Sequence, residues 1–76
     1  MSEPSRYLVI LEQGPDSWGA YSPDLPGVVA AADTREECEA LMRDAIASHI
    51  EGLREAGDPI PTPTTTSTYI ELGPAA

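Results

Sequence analysis

The spacing of hydrophobic residues predicts a first strand over residues 6–13. Alternate residues of a strand point to opposite faces of its sheet. Both sets are apolar here, with Tyr7, Val9 and Leu11 on one face and Leu8 and Ile10 on the other. A sheet covered on one side only is polar on its other side. One helix does not cover both faces, so we expect the protein to self-associate.

Two further strands are predicted at residues 18–21 and 28–32, with a rigid corner between them. A turn-rich segment joins the first two strands as a hairpin. In the corner, Pro23 and Pro26 fix φ and remove two backbone donors, while Gly27 permits a positive φ. The three strands are therefore expected to form an antiparallel meander that the corner interrupts.

One helix is predicted between Thr34 and Ala56. Thr34 and Glu37 have the spacing of a capping box, and Gly57 suits the position just after the helix. Residues at helical spacing form its buried face: Cys38, Leu41, Met42, Ala45, Ile46, His49 and Leu53. This face is expected to pack on one side of the sheet.

Residues 58–63 are proline-rich, which excludes a helix or a central strand and favours an extended connection crossing back over the domain. Ile60 is its expected anchor. Residues 64–68 favour β structure and lead into a last strand at residues 69–72, with Ile70 and Leu72 facing inward. The predicted fold is α+β: a three- to four-stranded antiparallel sheet with one helix on one face, in the order β-β-β-α-β.

Length and charge narrow the possible functions. The 76 residues are expected to form one domain with a small core, and no stretch reaches the length of a membrane span. No signal peptide pattern is found, and the single cysteine excludes an internal disulfide, so a cytoplasmic location is expected. The net charge of −9 disfavours nucleic acid and favours a basic partner.

Residues typical of catalysis are few. His49 is the one histidine and lies on the apolar side of the predicted helix, which is typical of a packed structural residue. Together with Cys38 it gives too few ligands for a zinc site. We interpret the clustered acidic residues Glu36, Glu37 and Glu39 as the first turn and the solvent-exposed face of the predicted helix. We therefore predict no catalytic residue, metal or cofactor, and no enzymatic activity.

Apolar side chains around the corner have two interpretations. Trp18, Tyr21, Leu25 and Pro26 have the character of interface anchors. They are equally suited to packing the core of a small domain that has no phenylalanine. The sequence alone leaves both interpretations open.

Four segments together carry a resemblance to a known family. They are Tyr-x-Val-x-Leu-Glu at 7–12, Trp-x-Ala-Tyr-Ser-Pro-Asp-Leu-Pro-Gly at 18–27, Ala-Ile-x-x-His-Ile-x-Gly-Leu at 45–53 and Gly-x-Pro-Ile-Pro at 57–61. From about residue 7 to 63 the chain resembles the HicB-type antitoxins. The resemblance implies a truncated ribonuclease H-like fold and a protein that forms dimers or tetramers. It also implies that the protein neutralises a HicA-type toxin, which is a small basic ribonuclease that cleaves messenger RNA.

Many members of that family also carry a C-terminal DNA-binding domain. Residues 64–76 of this sequence do not have the features of a DNA-binding segment, so operator binding is not expected. The candidate toxin contacts are Trp18, Tyr21, Asp24, Leu25 and Glu39, with acidic groups replacing RNA phosphates. The main alternative is an orphan oligomeric interaction or ligand-binding module without a toxin. A further alternative, a metal-dependent nuclease built on acidic residues, would require metal-dependent RNA cleavage.

Overall fold

A computed structural model describes residues 6–74 of the chain. Its elements are β1 (Ile10–Gln13), β2 (Trp18–Tyr21), β3 (Val29–Ala32) and α1 (Arg35–Ala56). The strands form one antiparallel sheet in the order β1-β2-β3. The predicted α+β class and the β-β-β-α order are therefore confirmed.

The register of the sheet separates a helix-facing side from an open side. Ala20 lies between Leu11 and Ala30, and these residues turn towards the core. On the open side, Tyr21 lies opposite Ile10 in β1 and opposite Val29 in β3. The open side therefore carries an apolar row of Ile10, Tyr21 and Val29, one residue from each strand. This row is the second apolar face that the sequence predicted.

Helix α1 has the predicted caps at both ends. The Thr34 hydroxyl accepts a hydrogen bond from the backbone N–H of Glu37 at 3.1 Å and donates one to its side chain at 3.0 Å. Gly57 adopts a left-handed conformation with φ of 75°, and its N–H bonds to carbonyls of the last turn. These contacts satisfy groups that a helix leaves unpaired at its ends.

The core lies between α1 and the sheet. Its five buried apolar residues are Ala20, Leu25, Val28, Cys38 and Met42. The Cys38 thiol points at two strand carbonyls, at 3.6 Å from the oxygen of Trp18 and 3.8 Å from that of Ala30. Cysteine thus acts as a small core residue with a weak donor, as predicted.

The first and third strands are shorter than predicted. Strand β1 begins at Ile10, because β2 ends opposite it at Tyr21 and no strand in the described chain lies beside residues 6–9. The Ser22 hydroxyl instead donates to the carbonyl of Leu8 at 2.8 Å. Strand β3 begins at Val29, because the N–H of Val28 still belongs to the corner.

The predicted last strand is absent: between residues 58 and 74 the structure contains neither a helix nor a strand. Ile60 is half-buried, as expected of the anchor of the connection. Ile70 and Leu72, predicted to face inward, are instead 74% and 91% exposed. The prediction was wrong because β propensity needs a neighbouring strand to take effect, and none in the described chain pairs with this segment.

Candidate protein-binding surface

The corner between β2 and β3 is held by two consecutive turns. The N–H of Leu25 donates to the carbonyl of Ser22, and the N–H of Val28 donates to that of Leu25, each at 3.1 Å. Gly27 has φ of 88°, a conformation that residues with a Cβ rarely adopt. As a result the Leu25 side chain points inward with no exposed surface, and Asp24 points towards the connection after the helix.

The Asp24 carboxylate receives four hydrogen bonds from two residues that follow 40 and 41 positions later. The backbone N–H groups of Thr64 and Thr65 both donate to Oδ2 at 3.1 Å. Their hydroxyls donate to Oδ1 at 3.1 and 2.9 Å respectively. This arrangement, which we call the Asp24 clamp, fastens the connection to the corner.

The clamp also sets the ionisation of Asp24. Burial acts to raise the pKa of the carboxyl group, but the hydrogen bonds from Thr65 and Thr64 together outweigh it and lower the pKa below its ordinary value of 3.8. Asp24 is therefore ionised at neutral pH, with both oxygens engaged inside the domain. The sequence analysis placed Asp24 at an interface and did not predict its hydrogen bonds with Thr64 and Thr65, because no local sequence pattern links residues 40 positions apart.

The two aromatic residues of β2 lie on opposite faces of the sheet. Trp18 is half-buried and packs against the core beneath α1. Tyr21 is 41% exposed on the open side, beside Val29, which is 65% exposed. The interpretation as core therefore describes Trp18 and Leu25, whereas Tyr21 belongs to a solvent-accessible apolar row.

Acidic groups line the outer side of α1. Glu39 is exposed there, as are the other acidic residues of the helix: Glu36, Glu37, Asp44, Glu51 and Glu55. Arg54 forms an ion pair with Glu51 at 2.6 Å. Three exposed arginines, Arg35, Arg43 and Arg54, lie on the same helix, so that its net charge is −3. The helix thus offers a solvated surface of mixed charge with an acidic excess, separate from the apolar open side of the sheet.

The residues with possible chemistry are not brought together. His49 is half-buried on the helix, and Cys38 is fully buried on the side facing the sheet. Over residues 6–74 there is no cluster of three or more His, Cys, Asp or Glu side chains placed to hold a metal ion. In the same range no helix has the length and apolar character needed to cross a membrane.

The chain matches the HicB-like antitoxins of bacterial toxin–antitoxin systems over residues 7–73. It is 37% identical over 65 residues to Antitoxin HicB 2 of Photorhabdus laumondii, an alignment covering 86% of this chain and 47% of the relative. It is 33% identical over 64 residues to an uncharacterised 14.9 kDa protein from the rep-hol intergenic region of Haemophilus phage HP1, covering 84% and 48%.

The chain thus spans about half the length of each of these curated relatives. No solved structure matches it at a significant level. The family match nevertheless includes all three strands, the corner, the helix and the Asp24 clamp. The chain therefore belongs to the HicB-like antitoxin family, as its four sequence segments indicated.

Proposed function

We propose that this protein is an antitoxin that binds a basic HicA-type toxin directly and covers the surface with which the toxin binds or cleaves messenger RNA. The observation that carries the proposal is the family match over residues 7–73, in a chain whose net charge is −9. An RNA-binding surface is positively charged because it must hold phosphates. An acidic protein domain is a suitable competitor for such a surface.

The acidic outer side of α1 is the part of the domain best suited to this competition. Glu39 is exposed, and its carboxylate has no hydrogen bond or ion pair assigned within the described chain. The Asp24 carboxylate, by contrast, already receives four hydrogen bonds. We therefore assign charge recognition to Glu39 and its neighbours, and assign Asp24 to holding the corner in shape.

Tyr21 supplies the apolar part of the proposed contact. It is the exposed aromatic of the sheet and stands next to the corner. Leu25 and Trp18 support this surface from below, because Leu25 is fully buried and Trp18 packs on the core. In this proposal the protein acts by contact in the cytoplasm, with no nucleic acid, membrane, metal or cofactor involved.

The first experiment is co-expression with the product of the neighbouring gene, followed by purification and an RNA-cleavage assay. A stable complex with suppressed cleavage supports the antitoxin role. The antitoxin role would be contradicted if the neighbouring gene product did not bind this protein, or if it bound this protein but did not cleave RNA. The same complex then allows the contact residues to be tested one at a time.

Replacement of Glu39 by Lys should slow association with the toxin about three- to tenfold at low salt, because steering depends on opposite charges near the docking surface. The matched control is Asp16→Lys, which makes the same charge change in the exposed turn between β1 and β2. Stopped-flow or surface-based kinetics measure both rates. Equal slowing by the two variants would show that overall charge matters and the position of Glu39 does not.

A second candidate, an orphan interaction module, is favoured by the open side of the sheet. Its apolar row consists of half-buried Ile10 and of Tyr21 and Val29, which are exposed in the single chain. This alternative predicts self-association without any toxin in the purified material. Co-purification of a ribonuclease distinguishes it from the antitoxin.

A further inference from the structure

Residues 66–74, which we call the arm, hold a concentration of uncovered apolar side chains. Every residue of the arm is exposed, with Tyr69 at 99%, Ile70 at 74% and Leu72 at 91%. Six large apolar side chains are exposed over residues 6–74, and the arm supplies these three. Apolar groups gathered on one exposed segment are typical of a site that contacts another protein.

The sequence of the arm gives it two different sides when it is extended. Ile70 and Leu72 alternate with Tyr69 and Glu71, so that aliphatic side chains lie on one side and an aromatic ring and a carboxylate lie on the other. An extended segment of this kind binds by placing its aliphatic side on an apolar surface of the partner.

The root of the arm is fixed to the folded domain. The Asp24 clamp holds Thr64 and Thr65 at the corner, and the Tyr7 hydroxyl donates to the carbonyl of Pro61 at 2.6 Å. The arm therefore leaves the domain from a defined position beside the corner. A segment anchored at its root loses less conformational freedom on binding than an unanchored one, so the anchor raises affinity.

Charge favours a basic protein as the partner of the arm over a second copy of this chain. Two copies that each carry a net charge of −9 repel each other, whereas a basic protein is attracted. The arm itself has one charged residue, Glu71, which is acidic. The family match reaches residue 73, so the arm also belongs to the region that this chain shares with the HicB-like antitoxins.

We propose that the arm lies extended on the surface of the basic toxin, and that the aliphatic side formed by Ile70 and Leu72 holds the complex together. This inference rests on the proposed antitoxin function and adds to it a second contact, separate from the charged helix. The acidic excess on α1 steers the encounter and sets the association rate. Apolar burial by the arm acts after docking and sets the dissociation rate. Asp24 is a positioning residue for the arm, because it holds the root through Thr64 and Thr65.

The kinetics of toxin binding test this division between the two contacts. The double variant Ile70→Ala, Leu72→Ala should raise the dissociation rate about tenfold or more and leave the association rate within about twofold, because it removes apolar area without changing the charge. Its helix signal in circular dichroism should stay unchanged, since both side chains are exposed in the free chain. The matched control is the exchange Ile70→Leu, Leu72→Ile, which keeps the apolar area and should dissociate within about threefold of the wild type.

A double-mutant cycle tests whether Asp24 acts through the arm. Asp24→Asn should raise the dissociation rate in a chain with the native arm, and should have little further effect when Ile70 and Leu72 are replaced by alanine. Asp16→Asn, in the exposed turn between β1 and β2, is the control for the loss of one charge. Equal effects of Asp24→Asn on both forms of the arm would overturn the positioning role of the clamp.

Hydrogen exchange identifies the partner of the arm. The amides of residues 66–72 should exchange rapidly in the free chain and slowly in the toxin complex. The proposal is overturned if the wild type binds the toxin and either the alanine variant dissociates equally slowly or these amides stay unprotected. Protection that is already present without toxin, together with loss of self-association in the alanine variant, would overturn it and assign the arm to a second copy. A wild type that binds no toxin contradicts the proposed function itself, and the role of the arm with it.

Discussion

At the scale of single residues, the structure gives Asp24 a different role from the one that the sequence predicted. In the sequence it stands among prolines in an exposed-looking turn and invites an interface role. In the fold its two oxygens receive four hydrogen bonds from Thr64 and Thr65. A carboxylate engaged in this way stabilises its own domain first, because breaking those bonds leaves four donors to be satisfied by water.

The Asp24 clamp predicts a loss of stability in acid. The pKa of Asp24 is lower in the folded state than the ordinary 3.8, so its contribution is complete above about pH 5 and is lost as the pH falls through the folded pKa. Asp24→Asn should lower stability at neutral pH and flatten the pH dependence below pH 4. Urea unfolding followed between pH 2 and pH 7 measures both effects.

The control for this prediction is Asp16→Asn, which removes a carboxylate from an exposed turn. This variant should keep the acid-dependent loss seen in the wild type. If Asp24→Asn and the wild type lose stability in parallel below pH 4, the clamp is not responsible for the acid sensitivity.

At the scale of elements, local patterns predicted every segment whose partner is near in sequence. The helix follows from a capping box and a glycine, and both caps form as predicted. The β1–β2 hairpin and the corner also depend on neighbouring residues. The predicted last strand failed because β propensity takes effect only beside a neighbouring strand, and no strand within residues 6–74 pairs with this segment. Likewise, the Asp24 clamp joins residues 40 positions apart, which no local pattern specifies.

The N-terminal cap of α1 allows the contribution of one local contact to stability to be measured. Thr34→Ala removes the acceptor for the N–H of Glu37 and should cost about 1 kcal/mol of unfolding free energy. Thr66→Ala, in the exposed segment that follows the Asp24 clamp, is the matched control and should change the free energy of unfolding by less than about 0.5 kcal/mol. Urea unfolding of the wild type and of both variants at the same protein concentration gives both values.

At the scale of the whole molecule, charged residues are unevenly distributed along the chain. Six of the 13 acidic residues lie on α1, together with three of the four arginines. By comparison, residues 59–70 carry no charge and residues 6–11 carry only Arg6. Binding of a basic toxin and binding of a second copy are therefore expected to use separate surfaces and to depend differently on ionic strength.

Salt should weaken association with the toxin and should not weaken association between two copies of this chain. Screening weakens the attraction between the acidic helix and a basic toxin, so raising the salt from 0.05 to 0.5 M should slow complex formation about tenfold or more. The same screening relieves repulsion between two chains of net charge −9, so the dimer should be unchanged or tighter at high salt. Stopped-flow kinetics and sedimentation equilibrium across one salt series measure both trends. A dimer that dissociates as salt rises would mean that charged side chains, and not apolar contacts, hold the two copies together.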